Sequence, residues 1–95
     1  MDFDWNNPSF ELGRPLSAHD IEGSFEDPFA VRLLPDSERF GVQARFFNLG
    51  RSASGTGIFS LFRANGRMNR VIFARPFTSE EQFFYQRKVS QMLAQ

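Results

Sequence analysis

Between two runs of alternating large and polar residues lies Asn65-Gly66, and no other pair in the chain restricts the backbone so tightly. A two-residue hairpin loop of type I′ demands positive φ at both positions, which asparagine and glycine tolerate best. The flanking runs, about 57–64 and 67–75, are therefore predicted as antiparallel neighbours. A third run, about 43–50, leads into Ser52-Ala53-Ser54-Gly55-Thr56 and a second hairpin, so the three strands form a meander.

If residue 64 faces 67, Arg63 lies opposite Met68 and Leu61 opposite Arg70. If Arg51 meets Gly57 across the longer loop, Arg45 falls opposite Arg63 and Phe47 opposite Leu61. The two-residue period of a strand then sets Arg45, Arg63 and Arg70 on one face. Arg75, five residues beyond Arg70, points to the other face unless the strand is bulged. Phe59, Leu61 and Ile72 fall on one face, and Ile58, Phe62, Val71 and Phe73 on the other, so both need cover.

Two helices can supply it. Ser17 with Asp20 three residues on is an N-cap with an acidic first turn, opening a short helix near 18–25 that Asp27-Pro28 ends. Thr78 to Glu81 is a capping box before a helix of about 79–93 with a stripe of Tyr85, Val89 and Met92. Phe3 to Trp5 reads as a short opening strand closed at Asn6-Asn7-Pro8, and Phe29 to Leu34 as a strand before the turn at Pro35-Asp36-Ser37. The expected fold is one small α+β domain over residues 1–95, a twisted antiparallel meander packed with two helices.

Composition narrows the chemistry. There is no cysteine and a single histidine, His19, so a disulfide framework, a thiolate metal site and a multi-histidine centre are excluded, and no metal or cofactor is expected. Gly50, Gly55 and Gly57 fit no phosphate-cradling or dinucleotide motif. No apolar run is long enough for a membrane span, and the acidic start Met-Asp-Phe-Asp-Trp is unlike a secretory signal, so a cytoplasmic location is expected.

The formal net charge is zero, but residues 1–38 hold nine acids against two arginines, and residues 39–95 nine bases against two acids. From Arg39 through Arg75 there are seven arginines, no lysine and no acid. A guanidinium presents a planar fork suited to phosphate, which solubility alone would not require. Two plainer readings stand beside an anion-binding surface: the halves neutralise each other, or the arginines form solvated strand faces.

Several short motifs occur in a fixed order: Phe3-x-Trp5, then Phe25-Glu26-Asp27-Pro28, Arg45-Phe46 and Leu49-Gly50-Arg51-Ser52. Arg70-Val71-Ile72-Phe73-Ala74-Arg75 follows, with Thr78, Glu81 and Tyr85 at the spacing Ala-Arg-x-x-Thr-x-x-Glu-x-x-x-Tyr. This order resembles the BrnT-type toxins of bacterial type II toxin–antitoxin systems, small ribonucleases with a fold similar to the RelE and ParE toxins. The resemblance implies a metal-independent endoribonuclease that acts on RNA and is masked by a cognate antitoxin protein. It departs from the family at Gly13-Arg14-Pro15, where the family carries Lys-His-Gly before the first helix. A catalytically inactive protein- or RNA-binding module is therefore the alternative.

Cleaving RNA without a metal needs a proton acceptor, a proton donor and cations on the phosphorane oxygens. On the resemblance and the register together, Arg45 and Arg70 contact phosphate, joined by Arg63 on geometry alone, with Arg51 and Arg67 as further RNA-binding residues. Arg75 is either catalytic or an anchor for the last helix through Glu81, and Glu81 is either a base or the N3 residue of its capping box. Tyr85 reads as core before catalyst, His19 as a surface residue and Glu26-Asp27 as a turn. Arginine beside phenylalanine, as in Arg45-Phe46-Phe47 and Phe62-Arg63, fits base stacking on single-stranded RNA or simply a buried ring beside an edge cation.

Overall fold

A computed structural model describes residues 2–13, 16–33, 45–65 and 67–94. The chain runs β1 (Asp2–Phe3), α1 (Ala18–Glu26), β2 (Val31–Leu33), β3 (Arg45–Arg51), β4 (Gly57–Asn65), β5 (Met68–Pro76) and α2 (Ser79–Leu93). The strands form one sheet in the order β1-β5-β4-β3-β2. The predicted turn at Pro35-Asp36-Ser37, and Arg14, Pro15, Arg39 and Gly66, lie outside the described residues.

The sheet is mixed, which corrects the all-antiparallel expectation: β1 pairs with β5 in parallel, Asp2 opposite Met68 and Phe3 opposite Asn69. No hairpin dictates β1's direction, because it reaches β5 only after the long excursion through α1 and the meander. The strand expected over 29–34 shrinks to Val31–Leu33 within the described residues. Asp27 diverts the chain before it, its Oδ1 accepting from the Phe29 amide (2.9 Å) and its carbonyl from the Ala30 amide (2.9 Å).

Across β3–β4 the register is as expected, from Arg45 opposite Arg63 to Arg51 opposite Gly57. Across β4–β5 it differs: Asn65 pairs with Met68, so Asn65 is a strand residue and Arg63 faces Arg70 instead of Met68. The pairing moves by two residues, so every side chain keeps its face. A bulge then intervenes, because Phe62 faces Val71 while Leu61 faces Phe73, leaving Ile72 unpaired. Ser9 Oγ donates to the Ile72 carbonyl there (2.6 Å). The bulge turns Phe73 and Arg75 onto the face of Leu61 and Phe59, reversing the face predicted for each.

The face bearing Phe46, Phe62 and Val71 holds the core. Helix α1 lies on it, with Ile21, Ser24 and Phe25 buried at the i, i+3, i+4 spacing of one helical stripe. The capping box is formed: Asp20's amide donates to Ser17 Oγ (3.1 Å), and Ser17's amide to Asp20 Oδ2 (3.2 Å). Phe25 meets Phe3 and Phe62 edge-on, with centroids 5.0 and 4.9 Å away. Burying each such side chain contributes about 1.5–3 kcal/mol. Gly50 is required here, since a Cβ would overlap the Ser24 carbonyl. Buried Asn48 ties the layer down, donating to the Ser24 carbonyl (3.3 Å) and accepting from Arg32 Nε (3.3 Å).

The opposite face is covered in part by α2. Its N-terminus is capped by Thr78 and Glu81 as the sequence requires, and Tyr85 is its buried residue. Further along, Met92 is exposed at 44%, so the predicted stripe lifts away from the body by its last turn.

Candidate nucleic-acid interface

On the α2 side of the sheet, Arg45, Arg63 and Arg70 stand directly opposite one another across β3, β4 and β5. Opposed residues project from the same face with Cβ atoms about 4.5–5.5 Å apart, and like charges so placed destabilise by a few tenths to about 1 kcal/mol. The row thus sets three like charges side by side, with Asp4 within 3.4 Å of Arg70. Arg75 and Arg51 share the same face further along, opposite Phe59 and Gly57.

The environments differ from one arginine to the next. Arg70 is clasped by the amino-terminal segment: Nη1 donates to the Asn6 carbonyl (2.8 Å) and Nη2 to the Asn7 carbonyl (2.7 Å), with Asp4 Oδ2 at 3.4 Å. Asn7 takes a positive φ of 48° to present its carbonyl, a conformation asparagine tolerates. Arg63 is half-buried and has no hydrogen-bond or ion-pair partner among the described residues. Arg45 is half-buried at the start of β3, and Arg67 is exposed beside the β4–β5 hairpin. Among the described residues, Asp4–Arg70 is the one ion pair that joins the acidic front to the basic remainder.

Arg75 and Glu81 form a separate pair. Nη1 and Nη2 of Arg75 donate to Oε1 and Oε2 of Glu81 at 2.7 and 2.9 Å, and the guanidinium lies 4.5 Å over the Phe59 ring. Glu81 Oε1 also accepts the Thr78 amide (2.8 Å). These hydrogen bonds to Glu81 hold Arg75 above its ordinary pKa against burial. Burial pushes Glu81 up, but the bonds from Arg75 and Thr78 outweigh it and hold the carboxyl below its ordinary value. A carboxylate so committed is a poor base, and the pair anchors α2.

Arg51 and Tyr85 form a third cluster, with the guanidinium 5.0 Å from the ring centroid and Nη2 3.4 Å from Gln86 Oε1. The Tyr85 hydroxyl donates to Asp27 Oδ2, which also accepts the Arg51 amide (2.8 Å). Burial, the bond to Asp27 and its charge push the Tyr85 pKa up to about 12, so the phenol keeps its proton near neutrality. His19 is exposed on α1, on the other side of the sheet.

The arrangement suits phosphate contact better than proton transfer: Arg45, Arg63 and Arg70 come together, with Arg70 held by Asp4, Asn6 and Asn7, while Arg75, Glu81 and Arg51 serve α2 and Arg67 stands apart. Two residues gain roles that the sequence left hidden. Asp27, read as a turn, is the acceptor for Tyr85, and Asp4 reaches Arg70 across the sheet edge; their placement before Pro28 and beside Asn6-Asn7 gives local signals only. Among the described residues, no group of three or more His, Asp or Glu could hold a metal ion, and no helix is long and apolar enough to cross a membrane. Comparison with protein-family models, curated proteins and solved structures yields no match.

Proposed function

We propose that this chain is a BrnT-like toxin domain whose arginine face binds the RNA backbone and is masked by a cognate antitoxin protein. The observation that carries the reading is the direct cross-strand row Arg45–Arg63–Arg70. A polyanion along the row relieves the like-charge contacts that Arg63 meets from both sides, Arg70 being already paired with Asp4. Phe83 and Leu93, exposed at 74% and 69% on α2, are apolar surface of the kind a protein partner covers. Cleavage of the bound strand is the second reading, favoured by adjacent guanidiniums where phosphorane oxygens would gather charge. The commitment of Glu81 to Arg75, and of Tyr85 to Asp27, favours binding without cleavage.

The test is end-labelled single-stranded RNA titrated with the purified protein, in chelator, over a series of salt concentrations. Binding that weakens steeply with salt, and less steeply in Arg63→Ala, supports the reading. Absence of binding at low salt overturns it. Intact RNA under these conditions rejects the cleavage reading, whereas fragments that Arg63→Ala suppresses establish it.

A further inference from the structure

Beside the arginine row, α2 leaves an open groove of about 350 Å³ against the same sheet face. Leu33, Phe47 and Phe59 form the sheet side, and Phe84, Glu80 and Glu81 the helix side. We propose that this groove is a subsite for one unstacked RNA base bearing an exocyclic amino group, taken from the strand whose phosphates lie on the arginines. The proposal rests on the RNA-binding reading and deepens it.

Position, size and chemistry agree on that occupant. Phe47 lies two residues from Arg45 and Phe59 four from Arg63, on the same face. At about 3.3 Å per residue, the groove opens roughly 7–13 Å from the arginine row, within reach of a base whose phosphate rests there. Its volume is at the lower end of the range for small-ligand clefts, about 300–1,000 Å³, which suits one planar ring system better than a docked helix. Phe47 and Phe59 are stacked, with centroids 5.5 Å apart and planes at 30°, and Phe84 closes the other side, so an unstacked base exchanges water for aromatic contact.

The polar groups of the wall set the choice of base. Glu81 is committed to Arg75 and the Thr78 amide. Glu80 is exposed, with no hydrogen-bond or ion-pair partner among the described residues. A carboxylate there accepts from the amino group of cytosine, adenine or guanine, as carboxylates do from cytosine N4 in direct readout. Uracil carries a carbonyl oxygen where cytosine carries its amino group, leaves only N3–H as a donor and binds more weakly. The same negative charge keeps phosphate out of the groove, so the backbone stays on the arginines and the base points inward.

The experiment measures dissociation constants of short oligo-rC, oligo-rA, oligo-rU and an abasic oligomer of equal length, at one salt concentration. Wild type is compared with Glu80→Ala and Phe84→Ala, each checked by circular dichroism. Oligo-rC and oligo-rA should bind at least about 5-fold tighter than the abasic oligomer, the lower limit of one stacked base, and several-fold tighter than oligo-rU. Glu80→Ala should bring the rC-to-rU ratio near unity while retaining the preference over the abasic oligomer. Phe84→Ala should reduce that last preference; if it unfolds the chain, Phe84→Leu gives the same comparison. Equal, salt-sensitive binding of all four oligomers overturns the base subsite, leaves phosphate binding intact and returns the groove to an apolar protein segment. A base preference unchanged in both variants also overturns it. Failure of every oligomer to bind overturns the RNA reading itself.

Discussion

The Tyr85 hydroxyl donates to Asp27 Oδ2, closing a contact between residues 58 positions apart. The same oxygen accepts the Arg51 amide, so one carboxylate joins the end of α1, the end of β3 and the middle of α2. Arg51 of β3 adds two further contacts to α2, its Nη2 on Gln86 Oε1 (3.4 Å) and its guanidinium over the Tyr85 ring (5.0 Å). Tyr85, Arg75–Glu81 and the Phe77 ring, 5.4 Å from Tyr85, carry its attachment.

Tyr85 is the chain's single tyrosine, so its ionisation is read directly from tyrosinate absorbance. The midpoint is expected near 12 against an ordinary 10. The folded-state value lies above the unfolded one, so the contact contributes in full below pH 10 and is lost as pH rises through 12. Tyr85→Phe should lower stability near neutrality by about 1–2 kcal/mol and remove that alkaline loss. A midpoint at 10 in the folded protein would contradict the contact.

Glu81 gives the acid counterpart. Its folded-state pKa is depressed, so its contribution is present above the unfolded value of 4.5 and disappears as pH falls through the lower folded value. The pair is partly solvated, and with the cap it should be worth about 1 kcal/mol. In Glu81→Gln, unfolding followed by fluorescence in urea should show that loss at pH 7 and a weaker decline below pH 4.5 than wild type.

Local rules made much of this molecule legible. Ser17–Asp20 and Thr78–Glu81 announced both helices, and the five-residue loop set the β3–β4 register. What failed was partly local, at the closing of one hairpin, and otherwise non-local. Asn65-Gly66 located a hairpin but not which two residues close it: Asn65 itself pairs with Met68. The bulge at Ile72, which decides the side of Arg75, follows from fitting β5 between β4 and the amino-terminal segment, and no periodicity encodes that. The direction of β1 and the clasp on Arg70 depend on how residues 2–7 cross the sheet edge. For the interface, residue types and their shared face were readable, but their partners were not.

Gly50 and Gly57 make a pair of contrasting tests. An added Cβ at Gly50 meets main chain, the Ser24 carbonyl of α1, which cannot yield without moving the helix. At Gly57 it meets a side chain instead, the Phe77 ring, whose displacement disturbs its contact with Tyr85 but moves no helix backbone. Gly50→Ala should therefore cost about 3 kcal/mol or more and Gly57→Ala less, as measured by urea midpoints at constant m. Equal losses would mean that α1 is not fixed against β3 as described.

Arg63 separates stability from binding. It faces Arg45 on one side and Arg70 on the other, and no carboxylate among the described residues pairs with it. Replacing it with threonine keeps a residue that favours strands and removes two like-charge contacts. Arg63→Thr should leave the free protein as stable as wild type or up to about 1 kcal/mol more so, an unusual result for a half-buried residue. The same substitution should weaken RNA binding and reduce the slope of log K against log salt by about 1. Thermal unfolding and salt-series titration check the two halves independently. A loss of stability would show that Arg63 supports the fold, whereas unchanged salt dependence would show that its guanidinium makes no phosphate contact.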